Sequence, residues 1–199
     1  VPDDIRLAIL IPAAGASTRL GRPKQLLEVD GEALVRRAAR LALALLPDQV
    51  VVVTGAESDR VKRTLADLPL TTVYNPAWRD GLGGSIAAGA RAIDTRPDAV
   101  MVLLCDQWRI DAGDVERLCT EWLQHTAHIV AARWDDGHGP PVLFPGALLP
   151  ALGELQGDAG ARRLLEADPE RCRFVEVQNA AYDLDTPEDL GFVSDQFGG

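Results

Sequence analysis

Short apolar runs and amphipathic stretches alternate along the first half of the chain. Residues 5–12 are apolar except at Arg6 and too few for a helix, which is typical of a strand buried on both faces. From residue 34 onward, apolar side chains recur at helical spacing until Pro47 ends the pattern. The same reasoning predicts strands over residues 50–54, 71–74 and 99–105, and helices over residues 57–68 and 84–93.

The resulting order, βαβαβαβ, predicts an α/β fold: a mostly parallel sheet with helices on both faces, joined by right-handed crossovers. Ligands of such sheets bind beyond the carboxyl ends of the strands. The second half is less regular. We predict there a helix around residues 115–122, strands at 129–132, 142–144 and 174–177, a loop at 137–141, a turn at 157–160 leading into a helix that ends at 167, and a last helix opening at 186–189.

Composition narrows the function classes. With 199 residues, of which 47% are hydrophobic, the chain has material for one sizeable core. Its 30 acidic and 20 basic side chains give a formal net charge of −10, which disfavours binding to nucleic acid or to an anionic membrane surface. Three cysteines without CxxC spacing fit a reducing cytoplasm, and residues 1–6 resemble neither a signal peptide nor a membrane span. We expect a cytoplasmic protein with a small-molecule partner, which can be anionic where cations cluster.

A loop of small residues follows the first predicted strand, over residues 13–24. Small side chains let backbone N–H groups approach phosphates, and Arg19 and Lys24 supply countercharge. The loop has neither Walker spacing nor the GxGxxG dinucleotide fingerprint. We interpret it as a triphosphate cradle, the alternative being an ordinary strand-to-helix loop. The candidate nucleotide-binding residues in it are Ala13, Ala14, Gly15, Ala16, Ser17, Arg19 and Lys24.

Three aspartates are candidate ligands for Mg²⁺. Asp106 follows the buried run 100–104, so its carboxylate is expected at the ligand-binding edge of the sheet. Asp183 and Asp185 are two residues apart and would share a face of an extended segment, and either could complete the site. The alternatives are a turn-forming role for Asp106 and a helix-dipole role for the other two. Thr186 and Asp189 fit a helix N-cap and are interpreted as structural.

The loop at 13–27 resembles the signature AAGxSxRxGxxKxLL of the molybdenum-cofactor nucleotidyltransferases. Five further stretches resemble the cytidylyltransferase branch of that family, so the resemblance spans nearly the whole chain: residues 75–85, 103–107, 139–141, 157–162 and 183–189. It implies a Rossmann-like, three-layer nucleotidyltransferase fold. It also implies Mg²⁺-dependent transfer of CMP from CTP to molybdopterin, or to its molybdenum-loaded form, with release of pyrophosphate.

The resemblance also assigns roles to residues. It implies that Gly81 and Ser85 join the nucleotide site, and that Lys24, Arg19 and Asp106 are catalytic. The acceptor-binding residues that it implies are Gly139, Pro141, Asp158 and Arg162. We expect a single nucleotidyltransferase domain over residues 1–199, with an NTP-binding half at 1–107 and an acceptor-binding half at 108–199. A molybdenum hydroxylase is a possible client protein.

Several functions stay open. The family usually has Pro at the position of Trp108, so the resemblance does not fix where the acceptor lies beside this residue. A guanylyltransferase for the same pterin usually carries Gly-Gly where this chain has Ala14-Gly15, and the added methyl group favours a smaller base. A sugar- or alcohol-phosphate nucleotidyltransferase would share the first half, and a non-catalytic accessory protein could deliver the finished cofactor. Trp78 could stack on a base or cover a core edge.

Overall fold

In the described part of the chain, seven strands form a central sheet, with β1 third from one edge. The computed structural model describes residues 2, 4–18, 20–158, 160–186 and 189. The sheet strands are β1 (Leu7–Ala13), β4 (Gln49–Thr54), β5 (Thr71–Tyr74), β6 (Ala99–Val102), β7 (Ile129–Trp134), β8 (Gly137–Pro145) and β9 (Cys172–Glu176), and a small hairpin consists of β2 (Glu28–Val29) and β3 (Glu32–Ala33). The helices are α1 (Leu34–Ala44), α2 (Ser58–Thr64), α3 (Leu82–Arg91), α4 (Ala112–Gln124), α5 (Leu149–Leu152) and α6 (Arg162–Ala167).

The strand order is β5-β4-β1-β6-β8-β7-β9. The first four strands in this order run parallel, with Leu10 of β1 aligned with Val51 on one side and with Val102 on the other. β8 runs antiparallel to both of its neighbours, and β9 pairs parallel with β7. The predicted α/β class, with a mostly parallel sheet, is confirmed.

Two apolar layers enclose the sheet because successive strand side chains point to opposite faces. Leu7, Ile9 and Ile11 of β1 pack in one cluster with residues of α1 and α4. Ala8 and Leu10 pack in the other cluster with residues of α3, α5 and α6. Each fully buried Leu or Ile stabilises the fold by about 1.5–3 kcal/mol. The helices therefore cover both faces, and the carboxyl ends of the parallel strands stay available for a ligand.

The prediction of a loop at residues 137–141 is wrong. These residues begin strand β8, where Gly137 pairs with Trp134 and Gly139 with Ala132. The register shifts between Ala131 and Ala132, so that Pro140 and Pro141 fall at an irregularity of the ladder. Because proline has no N–H group, a bulge is where a strand tolerates it. The composition suggested a loop, but pairing with β7 makes the segment extended.

Other boundaries shift by a few residues. The strand predicted over 99–105 ends at Val102, and residues 103–105 continue irregularly to Asp106. The helix predicted over 57–68 is the shorter α2, because residues 65–69 form turns after it. The continuation of the helix predicted from residue 186 lies outside the described residues. None of the described helices has the length and apolar character that crossing a membrane requires.

Candidate active site

A cavity of about 600 Å³ opens at the edge of the sheet where β1 and β6 end. Four stretches of chain and two isolated aspartates surround it. Its lining residues are Pro12 to Thr18, Lys24, Gln25, Trp78, Arg79, Gly81, Leu82, Ser85, Leu104 to Asp106, Asp158 and Asp185. This is the edge at which an open α/β sheet binds its ligand. The structure thus brings the small-residue loop together with Asp106, Asp185, Gly81 and Ser85.

Hydrogen bonds hold the small-residue loop in place. The Ser17 hydroxyl oxygen accepts from the backbone N–H of Lys24 at 3.0 Å, and the buried Gln25 side chain donates to the Gly15 carbonyl at 3.1 Å. Ser17 has φ +53°, a left-handed conformation that is uncommon outside glycine. Gly15 and Ser17 are therefore held to Gln25 and Lys24 by hydrogen bonds. Arg19, predicted to contact the triphosphate, lies outside the described residues.

Segment 81–85 forms the wall opposite the loop. Gly81 has φ +110°, and a Cβ atom there would come within 2.4 Å of the Asp158 carboxylate, so only glycine allows this approach. The backbone N–H of Gly83 donates to the Gly157 carbonyl at 2.7 Å. The buried Ser85 hydroxyl accepts from the Asn75 amide at 3.2 Å. Close packing of residues 81–85 against 157–158 therefore brings Asp158, a predicted acceptor residue, to the cavity wall.

Arg79 is a cavity residue that the sequence reasoning missed. Its guanidinium lies over the Trp78 indole, 4.2 Å from the ring centroid, and both side chains line the cavity. Stacking on an aromatic ring holds a cation through the ring quadrupole. Gly55 lets Trp78 lie close, since a Cβ at Gly55 would be 2.7 Å from Trp78 Cβ. Arg79 follows Trp78 within the stretch 75–85, which the sequence analysis names. This position is the sequence feature that could have identified Arg79 as a site residue.

An ion cluster joins three positions that are distant in sequence. The Lys24 ammonium donates to Asp106 Oδ2 and, at 2.8 Å, to Asp185 Oδ1. The Asp106 backbone carbonyl accepts from Leu184 N at 3.1 Å, which fixes the segment carrying Asp185 beside the segment carrying Asp106. Ion pairs at a partly buried edge are screened less than surface pairs. The cluster therefore pre-positions one cation and two carboxylates at the cavity.

The charges shift the pKa values of the cluster. Burial by itself would lower the pKa of Lys24, but attraction by Asp106 and hydrogen bonds to Asp106 and Asp185 hold that pKa above its ordinary value. The pKa of Asp183 is raised to about 7, first because nearby protein atoms displace water and then because Asp106 and Asp185 repel a further negative charge. Asp183 nevertheless keeps accessible surface. Lys24 stays charged near neutral pH, whereas the raised pKa of Asp183, an exposed residue by its accessible surface, lies close to neutral pH.

The donor chemistry of the three aspartates fits a hard divalent cation, which prefers carboxylate oxygens together with phosphate and water. Within the described part of the chain, no three His, Cys, Asp or Glu side chains are already arranged around one metal position. The Lys24 ammonium contacts both Asp106 and Asp185. Asp183 is next to them through a backbone bridge between Gln107 and Asp183. Any ion would thus share these carboxylates with Lys24.

We expect metal affinity to rise with pH. Because the pKa of Asp183 is raised to about 7, its carboxyl group is protonated below that pH and must release the proton to bind a cation. The dissociation constant for Mg²⁺ should fall by up to about tenfold per pH unit below pH 7 and level off above it. Titrations at pH 6 and pH 8 test this, and Asp183→Asn should remove the dependence. Equal affinities of the wild type at both pH values would exclude Asp183 from the metal site.

The other predicted acceptor residues do not line the cavity. Gly139 and Pro141 are buried in β8, and Arg162 is exposed on α6, where it pairs with Glu166 at 2.8 Å. Gln107, which the sequence reasoning did not single out, connects β8 to the site because its side-chain amide donates to the carbonyls of Pro140 and Ala180 at 2.8 and 2.9 Å. The buried strand thus supports the Asp106 segment through Gln107. A direct role of Gly139, Pro141 or Arg162 stays a prediction.

Sequence comparisons match the chain to one protein family and to several curated relatives. A family model described as the MobA-like NTP transferase domain matches residues 9–172. Nicotine blue oxidoreductase of Paenarthrobacter nicotinovorans is 32% identical, covering 89% of this chain and 91% of that protein. Purine catabolism protein PucB of Bacillus subtilis is 28% identical, covering 91% and 92%. A Synechococcus elongatus protein named "Probable molybdenum cofactor guanylyltransferase" is 29% identical, covering 70% and 72%.

Solved structures share the fold. A nucleotidyl transferase from Methanothermobacter superposes with a TM-score of 0.81 at 21% identity, covering 98% of both chains. A protein from Mycobacterium tuberculosis H37Rv, solved as a complex with manganese, superposes with a TM-score of 0.79 at 22% identity, covering 96% of this chain and 98% of that one. At these identities the similarity establishes the architecture, and it matches the predicted nucleotidyltransferase fold.

Proposed function

The chain belongs to the MobA-like NTP transferase family, and from that premise we propose that it transfers CMP from CTP to molybdopterin, or to the molybdenum-loaded form, with release of pyrophosphate. It is a nucleotidyltransferase. The observation that carries the proposal is a cavity of about 600 Å³. Its lining combines a hydrogen-bonded loop of small residues with the cluster of Lys24, Asp106 and Asp185. Such a cavity offers backbone N–H groups and a cation to a triphosphate, and carboxylates to the metal ion that accompanies it.

The proposed reaction is a displacement at the α-phosphorus of CTP. An oxygen of the acceptor's terminal phosphate forms the new P–O bond, and the bond from the α-phosphorus to the oxygen that bridges to the β-phosphate breaks. Pyrophosphate leaves with that bonding pair. No covalent enzyme intermediate is needed, so the protein contributes orientation and charge. The backbone of residues 13–17 would orient the triphosphate, and Lys24 would stabilise its negative charge together with Arg19.

A divalent cation belongs to this proposal. Asp106 with Asp183 or Asp185 would hold Mg²⁺, which supplies charge neutralisation on the reacting phosphates. The structurally similar M. tuberculosis protein was solved with manganese, an ion of similar ligand preference. Lys24 contacts the same carboxylates, so we propose that it aligns Asp106 and Asp185 before the nucleotide binds and turns toward phosphate oxygens afterwards. Because Lys24 is a compact charge on a flexible stem, it suits two alternative partners.

We propose that the space beside residues 13–17 determines which nucleotide base the cavity accepts. Ala14 is buried and lines the cavity, and its carbonyl accepts from Ala56 N at 2.9 Å, so its methyl group cannot easily move aside. A purine needs more room than a pyrimidine. We therefore expect kcat/KM for CTP to exceed that for GTP by at least about tenfold, the effect of roughly 1.4 kcal/mol in binding.

The matched variant for base choice is Ala14→Gly, which should narrow the CTP preference by admitting the larger base. Initial rates with both nucleotides at fixed acceptor concentration measure it. Equal kcat/KM values in the wild type would contradict the assignment of CTP. They would instead favour the guanylyltransferase activity for which the Synechococcus relative is named.

One relative is named an oxidoreductase. A nicotinamide or flavin dinucleotide would be the expected cofactor of such an enzyme, and the loop at residues 13–24 lacks the GxGxxG fingerprint of dinucleotide sites. An assay of the same preparation with NADH or NADPH and a dye acceptor separates the two classes. Pyrophosphate release without nicotinamide oxidation supports the transferase, and the reverse pattern supports the oxidoreductase.

We further propose that residues 1–199 act as one domain in the cytoplasm, with a molybdenum hydroxylase as client. The pairing of β6 with β8 supports a single unit, because Ala99↔Pro145 and Val102↔Val142 join the halves proposed to bind nucleotide and acceptor. The acceptor would approach from the side of residues 108–199, where Asp158 reaches the cavity.

A further inference from the structure

We propose that Arg109 binds the distal part of the phosphorylated acceptor, away from the phosphate that reacts. Its guanidinium would donate N–H groups to the exocyclic oxo oxygen of the acceptor's pterin ring. This inference rests on the proposed function, because it assumes a phosphorylated acceptor at the Asp106 edge. No resemblance to the family assigns a role to Arg109.

Two extended segments place Arg109 near the carboxylates. Gln107 and Asp183 form an antiparallel bridge, and Leu184 N donates to the Asp106 carbonyl at 3.1 Å. Asp106 and Asp185 line the cavity, whereas Arg109 does not. Arg109 follows Asp106 by three residues, so the two Cα atoms are at most about 11 Å apart. Arg109 therefore lies outside the nucleotide cavity but within the reach of a molecule whose phosphate is at Asp106.

Buried neighbours and two aromatic rings hold the side chain of Arg109 in position. Its neighbours Trp108 and Ile110 are 6% and 4% exposed, and Trp108 packs with Val29, Leu34 and Leu184. The guanidinium carbon lies 3.8 Å from the centroid of the Tyr182 ring and 4.8 Å from that of the Trp108 ring. Both aromatic faces attract the cation through the ring quadrupole. Two aromatic rings thus hold the guanidinium in place.

Its hydrogen-bonding capacity is unused within the described part of the chain. No carboxylate there pairs with the Arg109 guanidinium, and its buried Nε atom has no acceptor. By contrast, Arg36 pairs with Asp67 at 2.6 Å and Arg117 with Asp114 at 2.6 Å. Arg109 is half-buried and has no counterion among the described residues, in a chain of net charge −10, so its positive charge can be matched by an electron-rich group of a ligand.

The planar fork selects the kind of group that binds. A guanidinium donates two parallel hydrogen bonds to a carboxylate or phosphate, and equally to the O6/N7 edge of guanine. The 4-oxo oxygen of a pterin, with two lone pairs, is a carbonyl acceptor of the same kind. Tyr182 is 44% exposed, so a flat ring bound in the plane of the guanidinium would also extend over an accessible aromatic face.

Equilibrium dialysis of molybdopterin without CTP tests the proposal, run in parallel with pyrophosphate release from CTP and molybdopterin. The variants are Arg109→Ala, Arg109→Lys and, as matched control, Arg96→Ala. Arg96 is exposed and lies before β6, at the opposite edge of the sheet. Arg109→Ala should raise the dissociation constant for molybdopterin at least tenfold, and Arg109→Lys by less, because lysine keeps the charge but loses the fork. KM for CTP should be unchanged, and Arg96→Ala should match the wild type.

The outcomes separate this inference from the proposed function. If the wild type binds molybdopterin and Arg109→Ala binds it equally well, the inference is overturned and the proposed function is unaffected. Arg109-dependent binding without any pyrophosphate release overturns the function and supports the inference. Absence of wild-type binding overturns both. Competition by free pterin that depends on Arg109 supports the inference, whereas competition by inorganic phosphate that depends on Arg109 would place this residue at the reacting phosphate and overturn it.

Discussion

Asp106→Asn should lower turnover by about a hundredfold or more while leaving the fold intact. The substitution keeps the size of the side chain but removes the charge that attracts Lys24 and a hard cation. A hundredfold loss corresponds to about 2.7 kcal/mol of transition-state stabilisation. Nucleotide binding should suffer less, because the backbone of residues 13–17 acts on the phosphates independently of Asp106. A larger loss in kcat than in nucleotide affinity marks a group that acts mainly in the transition state.

A magnesium titration of pyrophosphate release measures the Asp106 effect, with Asp59→Asn as the matched control. Asp59 is exposed on α2 and does not line the cavity. If Asp106 were only a turn former, asparagine would replace it at little cost, since both residues favour turns. Superimposable curves for wild type and Asp106→Asn would therefore remove Asp106 from the site.

Lys24→Ala should reduce turnover at least about tenfold, with a rise in KM for CTP. The variant removes the cation proposed for the triphosphate, and it also leaves Asp106 and Asp185 without the ammonium that both contact. Repulsion among the carboxylates should then increase, so the pKa of Asp183, which Lys24 holds down, should rise further above its value of about 7. Metal binding at neutral pH should become more dependent on pH than in the wild type.

Lys62→Ala is the matched control for Lys24. Lys62 is an exposed lysine in the last turn of α2, outside the cavity. Steady-state kinetics with varied CTP, together with thermal unfolding of each variant, separates lost function from lost stability. CTP kinetics of Lys24→Ala that match those of the wild type would defeat the assignment of Lys24.

Local patterns in the sequence predicted the elements that depend on local physics. The apolar runs gave β1 and β4 because strands covered on both faces contain few polar residues, and helical spacing gave α1. The position of Asp106 at the ligand-binding edge followed from the buried run before it. The Asp189 carboxylate accepts from Thr186 N at 2.7 Å, a contact that fits the predicted N-cap, while the helix it would cap lies outside the described residues.

Local sequence patterns do not predict contacts between residues that are far apart in the chain. Lys24 meets Asp106 and Asp185 across separations of 82 and 161 residues, and no periodicity in the sequence encodes such a meeting. The Gly- and Pro-rich start of β8 was misassigned because its extended form depends on pairing with β7. The stacked arginines, Arg79 on Trp78 and Arg109 on Tyr182, likewise arise from tertiary packing.

The departure at Trp108 from the family's usual proline has a structural consequence. The indole is buried among Val29, Leu34 and Leu184 and supports the guanidinium of Arg109. The chain therefore keeps the Asp106 segment tied to the segment of Leu184 without a proline at this position. The change affects the side proposed for the acceptor rather than the nucleotide cavity, which Trp108 does not line.

Transfer of label from CTP tests the central claim most directly. The purified protein is incubated with molybdopterin, Mg²⁺ and CTP labelled either in the α-phosphate or in the γ-phosphate. Attack on the α-phosphorus predicts that the α label enters a pterin dinucleotide, that the γ label appears in pyrophosphate, and that the two products form in equal amounts. Retention of both labels in CTP, or release of the γ label as inorganic phosphate without a dinucleotide, would contradict the proposed cytidylyltransferase.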